Sequence, residues 1–154
     1  MGRREDLLRK EAEAWGRIDG VVESVSAAEI VRPGYTVEGW SVKDMMAHVA
    51  AWSNVAAGAL REISAGTWSG HHVWDEPGGT DQLNAEWFER DRELDVDAVR
   101  AEWHASRTSL LQSFGALDEI TPDADEWFEE SGPSHYAEHM PDLERWVTRT
   151  RGER

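Results

Sequence analysis

Apolar residues recur along this chain at helical spacing in four long stretches, and nowhere with the sustained alternation of a strand. From Arg3 to about Ile30, Leu7, Leu8, Ala12, Trp15, Ile18, Val22 and Val25 share one stripe, slightly weakened by Gly16 and Gly20, and Arg32-Pro33-Gly34 stops it. A second helix starts at Ser41, a good N-cap, with Asp44 three residues later as a near capping box. Its inner stripe is Val42, Met45, Val49, Trp52, Ala56, Ala59 and Ile63, and Gly66 ends it. Residues 66–80 read as a loop, long for a helix–helix connection and of a length that is often functional. Thr80 or Asp81 then caps a short helix to about Arg92. A third long helix runs from about Val96 to Gly115 on Val99, Trp103, Ser106, Leu110 and Phe114. A loop with Pro122, Pro133 and many acids follows, and the last helix runs from near Ser134 to about Thr150, where Pro141 predicts a local kink. The expected fold is all-α: an antiparallel four-helix bundle with a short extra helix between the second and third long helices, one domain over 1–154 with a short basic tail from about 149.

Composition narrows the chemistry. The chain is 40% hydrophobic and 31% charged, which is globular rather than disordered. It has no cysteine, so a disulfide framework, a zinc ribbon, an iron–sulfur cluster and a cysteine nucleophile are excluded. The opening Gly2-Arg3-Arg4-Glu5-Asp6 is unlike a signal peptide or anchor, and the apolar run from Met45 to Leu60 is broken by His48, Ser53 and Asn54. A cytoplasmic protein off the membrane is expected. The net charge is −15, and residues 75–130 hold 17 acids against 4 bases. Such a surface repels phosphate backbones, so nucleic-acid binding is not expected; its ordinary role is a solvated acidic face. Of the nine tryptophans, most suit a core, while Trp68 and Trp74 sit in the Gly-rich connection and are candidates to line a pocket.

Candidate chemistry centres on histidine. His135 and His139 stand at i and i+4 on a helix, so both imidazoles face the same way, a workable claw for zinc or nickel. By itself the pair is weak, because such spacing arises by chance. His48 lies beside the apolar stripe of the second helix and needs a partner there. Either a neighbouring backbone group or acid satisfies it, or the bundle brings three imidazoles together. His135-x-x-Glu138-His139 also matches an inverted zincin motif, in which Glu is a general base, but such peptidases need a further carboxylate ligand and a larger cleft. His71 and His72 in the long loop read first as a surface pair, with His72 the alternative at a pocket mouth. His104 is expected to pack. No Ser/His/Asp arrangement or phosphate loop is readable.

Gly39-Trp40-Ser41-Val42-Lys43-Asp44, followed by Ala47-His48-Val49-Ala50-Ala51-Trp52, resembles the signature of the DinB-like superfamily. The C-terminal His135-Tyr136-Ala137-Glu138-His139 is similar to its second signature, and the resemblance spans about Leu7 to Val147. It implies a four-helix bundle with a three-histidine metal site at His48, His135 and His139. The superfamily includes mycothiol-dependent maleylpyruvate isomerases and bacillithiol transferases, whose thiol is an outside cosubstrate. It also includes the ClbS/DfsB group, linked to self-resistance against a reactive metabolite. The segment from His72 to Asn84 with His135-Tyr136 looks closer to that group, whereas His139 points toward the metal-binding members. The isomerases resemble this chain in their N-terminal part.

The resemblance and the residues together give a first expectation. It is a metal-dependent hydrolase or thiol transferase/isomerase acting on a reactive hydrophobic small molecule, for detoxification or resistance. Trp52, His72, Trp74 and Tyr136 are the expected substrate-binding residues, and no catalytic residue is assigned. One alternative is a non-catalytic bundle that sequesters a small molecule; another is a helical bundle whose histidines satisfy one another and whose role is dimerisation. A homodimer through an exposed helix face is compatible with the pattern, although no clean seam argues for it.

Overall fold

The computed structural model describes residues 2–153. Its helices are α1 (Arg3–Ser24), α2 (Ala27–Ile30), α3 (Val42–Ala65), α4 (Gly79–Asp91), α5 (Val96–Gly115), α6 (Pro122–Ser131) and α7 (Pro133–Gly152), with a 3₁₀ turn at Val73–Asp75. The four long ones, α1, α3, α5 and α7, form the expected bundle, and no strand occurs among the described residues.

Polar contacts fix the directions. Glu23 meets Arg100, Asp19 meets Trp103 and Glu11 meets Arg107, so α1 and α5 run in opposite senses. Lys43 reaches the carbonyl of Leu94, Asn54 reaches Glu102 and Arg61 reaches Ser113, so α3 and α5 run in the same sense. Tyr136 meets Glu11 early in both α1 and α7, and Arg32 meets Glu153 beyond the far ends of both. The bundle is therefore antiparallel as two parallel pairs, α1 with α7 and α3 with α5. Parallel neighbours demand a crossover, and residues 66–95, which contain α4, supply it.

Three boundaries differ from the sequence expectation. The first helix ends at Ser24 rather than Ile30, because Val25 and Ser26 are extended and the Ser26 side chain caps α2 by accepting from the Glu29 N–H. α4 starts two residues before the earlier of its two expected caps allows, with Gly78 rather than Thr80 or Asp81 as the N-cap, in a left-handed conformation at φ 89°. The expected acidic loop after α5 is the helix α6: Thr121 accepts from the Ala124 N–H, and Pro122 sits at the first helical position, where its missing N–H costs nothing. α7 continues as one helix through Pro141.

The core has two parts. One packs Trp15, Trp103, Tyr136, Trp146, Met45 and Met46. The other packs Leu60, Leu110, Phe114, Trp127 and Phe128, with the two phenylalanine rings stacked at 3.9 Å. Each such side chain contributes roughly 1.5–3 kcal/mol by burial. That rigid core is what holds α3 and α7 in place around the site.

Candidate metal centre and pocket

The starts of α3 and α7 set the histidine positions. At α3, the Ser41 side chain accepts from the Asp44 N–H, and the Asp44 carboxylate accepts from the Ser41 N–H at 2.8 Å, completing the capping box. His48 follows nearly two turns later, on the face turned to α7. At α7, Gly132 makes the sharp turn from α6 with φ −106° and ψ −107°. A Cβ there would lie 2.8 Å from the Phe128 carbonyl oxygen, so the close approach requires glycine. Pro133 then opens α7 and His135 and His139 stand one turn apart.

The three imidazoles converge. His48 Nε2 lies 3.1 Å from His135 Nε2, and His139 Nε2 lies 3.1 Å from the same atom. All three ligand atoms fall within 4.8 Å of one another. Burial pushes His48 down to about 3, and holds His135 well below and His139 below the ordinary histidine value, since a proton would strand charge away from water. The rings are neutral at neutral pH, the form that binds metal.

Mutual hydrogen bonding does not account for this geometry. One Nε2 of a neutral ring carries either one proton or one lone pair, so His135 Nε2 makes one good hydrogen bond and not two. A cation at the common point uses all three lone pairs. Two imidazoles on one zinc at about 2.0–2.1 Å, separated by roughly 90–110°, stand about 2.8–3.4 Å apart. The observed 3.1 Å separations fit. The Nδ1 atoms of His48 and His135 are buried without a partner, so neither ring has the acceptor that usually orients a metal-bound imidazole.

A cavity of about 550 Å³ opens beside this cluster. His48 and His135 line its floor, Trp52, Trp74, Thr80 and Asn84 one side, and Glu126, Glu130, Ser131 and Glu138 the other. Trp52 is held by its Nε1–H donating to Asn84 at 2.8 Å and by an edge contact with Trp87. Trp40 stacks on Phe88 at 5.3 Å, which pins α4 over the site.

The expected residues divide accordingly. His48, His135 and His139 come together, and Trp52 and Trp74 line the cavity. Tyr136 does not, a correction to its expected substrate-binding place: it is fully buried, and its hydroxyl donates to Glu11 at 3.2 Å. Successive residues of a helix point about 100° apart, so Tyr136 faces the core when His135 faces α3. His72 is likewise displaced from the cavity lining. It stacks on Trp74 at 4.2 Å and lies against Trp127, near Asp123 and Glu126. Trp68 joins that aromatic group and donates to Asp123. His71 is exposed and pairs with Glu76, and His104 is exposed against the edge of Trp15. Sequence reasoning missed Thr80, Asn84, Glu126, Glu130, Ser131 and Glu138. The last four belong to α6 or follow it, and the Thr121-Pro122 cap with apolar Ala124, Trp127 and Phe128 was the signal for that helix.

Glu11 forms a second polar feature below the site. It is completely buried in α1, accepts two hydrogen bonds from Arg107 at 2.9 and 2.7 Å, and also accepts from Tyr136. This network ties α1, α5 and α7 together beneath the histidines.

A family model described as the mycothiol maleylpyruvate isomerase N-terminal domain matches residues 12–147. No curated protein matches the chain. Among solved structures, the crystal structure of an uncharacterised protein from Escherichia coli UTI89 is similar, with a TM-score of 0.76 at 14% identity, over 96% of this chain and 94% of that one. At that identity the likeness is one of fold. No described helix is long and apolar enough to cross a membrane.

Proposed function

The chain belongs to the mycothiol maleylpyruvate isomerase N-terminal domain family of DinB-like helical bundles, and from that premise we propose that it holds one divalent metal ion, zinc or nickel, on His48, His135 and His139 and directs a low-molecular-weight thiol or a water at a reactive hydrophobic small molecule. The observation that carries this reading is the convergence of three neutral imidazoles, with the Nε2 atoms of His48 and His139 each 3.1 Å from that of the buried His135, beside an open cavity that His48 and His135 line. A divalent ion there supplies the Lewis acidity that makes a thiol or water nucleophilic at neutral pH. The chain supplies no thiol of its own, so a thiol nucleophile comes from solution. Trp52 and Trp74 offer flat apolar walls for the small molecule, and Asn84 fixes the Trp52 ring. Detoxification or self-resistance is the role this chemistry suits.

Elemental analysis of purified, untagged protein beside a His48→Ala variant tests the proposal. We expect about one equivalent of zinc or nickel in the wild type and none in the variant. Thiol-transfer and hydrolysis assays on a model electrophile then follow, with turnover lost in the variant. Absence of metal from both proteins, with unchanged stability, refutes the site and leaves the bundle as a sequestering protein.

A further inference from the structure

The cavity beside the histidines has a lopsided charge. Glu126, Glu130 and Glu138 line it, and no lysine or arginine does. None of the three makes an ion pair or hydrogen bond with a described residue. They are exposed at the mouth, while His135 on the floor is only 8% exposed and its Nδ1 has no partner. Trp52 and Trp74 line the same cavity, with ring centroids 6.3 Å apart.

A dicarboxylate of the maleylpyruvate type has no counter-charge in such a place. Even with a divalent ion on the floor, +2 against three carboxylates leaves the cavity at −1. A bound thiolate or hydroxide takes it to −2. Indole faces, by contrast, attract cations, and Trp does so best of the aromatic side chains. We propose that the small molecule admitted to this cavity is an organic cation: its positive group sits among Glu126, Glu130 and Glu138, and its apolar body rests on Trp52 and Trp74. The inference rests on this cavity being the functional site, and it names the substrate class for it.

Two probes of equal length and opposite charge test it: 2-phenylethylammonium and 3-phenylpropionate, titrated into the purified full chain and followed by tryptophan fluorescence and calorimetry. Wild type is expected to bind the ammonium at least about tenfold more tightly, a margin that three weak charge contacts together supply. In the variant Glu126→Gln/Glu130→Gln/Glu138→Gln the ratio of the two affinities is expected to fall about tenfold, with the melting temperature kept, because these side chains are exposed and unpaired. A carboxylate bound as tightly as the ammonium, a preference that survives in the variant, or failure of both probes to bind overturns the inference. Metal content measured on the same samples separates the two proposals. A charge preference without metal sinks only the three-histidine site, and metal without a charge preference sinks only the organic cation.

Discussion

Acidification of the metal-free protein should cost stability through its buried histidines, by an amount the structure sets. His48 is held at about 3 by burial, against an ordinary 6.5 in the unfolded chain. A depressed folded value means that the unfolded state binds the extra proton. The neutral ring's contribution is therefore complete above about 6.5 and is lost progressively as pH falls toward 3. At about pH 5 the unfolded imidazole is almost wholly protonated and the folded one almost wholly neutral. The difference is about 1.5 pH units at about 1.36 kcal/mol each, or about 2 kcal/mol from His48 alone. His135 and His139 act in the same direction. The carboxylates held low by ion pairs, Asp6, Asp125 and Glu153, lie near the surface and titrate below this window. Urea unfolding of metal-stripped protein at about pH 7.5 and about pH 5, followed by circular dichroism, reads the loss directly. Equal slopes at the two pH values assure that stability itself has changed. A His48→Leu variant should lose about 2 kcal/mol less over the same interval. A wild-type midpoint indifferent to pH, or a variant that loses as much as wild type, would refute the claim that these rings are buried and neutral.

Removal of Glu11 should be severe: Glu11→Ala leaves Arg107 and Tyr136 facing an empty buried position, a loss of about 3–5 kcal/mol in thermal or urea unfolding. Tyr136→Phe removes one hydrogen bond while the Arg107 pair remains, and should cost only about 1 kcal/mol and leave metal content unchanged. Gly132→Ala places a Cβ 2.8 Å from the Phe128 carbonyl, so the α6–α7 turn must shift. It should destabilise by about 1–3 kcal/mol and lower zinc occupancy by displacing His135, read by competition with a chelator.

Periodicity made the long helices legible because each buries one stripe in one core. The start of α3 could be placed to the residue, since Ser41 and Asp44 cap each other through local contacts alone. The His135–His139 pair was likewise visible, because i and i+4 share a face whatever the tertiary fold. The approach of His48 is different in kind: it depends on how α7 rotates against α3, which Glu11, Arg107 and Tyr136 help to set across 125 residues of sequence. Tyr136 was expected in the pocket as an aromatic beside His135, but one step along a helix turns a side chain by about 100°, and it faces the core instead. The helix α6 was hidden by two prolines that read as breakers, although Pro122 is a helix starter when Thr121 precedes it. The cavity's acidic side was invisible for the same reason, since it comes largely from that helix.

The division of labour within the site follows from which elements build it. His48, His135 and His139 stand on α3 and α7, whose positions are fixed by the core and by the buried Glu11 network. Most of the rest of the cavity comes from connections: Trp74, Thr80 and Asn84 from the crossover, and Glu126, Glu130 and Ser131 from α6. A rigid bundle suits a metal, whose ligands must hold their geometry closely. Connecting segments suit recognition, because their side chains change without disturbing the core. Family membership speaks to the helical bundle. It does not carry a substrate across, because the substrate meets the side chains that line the cavity. In this chain the connections present Glu126, Glu130 and Trp74, and the long helices add Glu138 and Trp52; the proposed choice of small molecule rests on these side chains rather than on the family name.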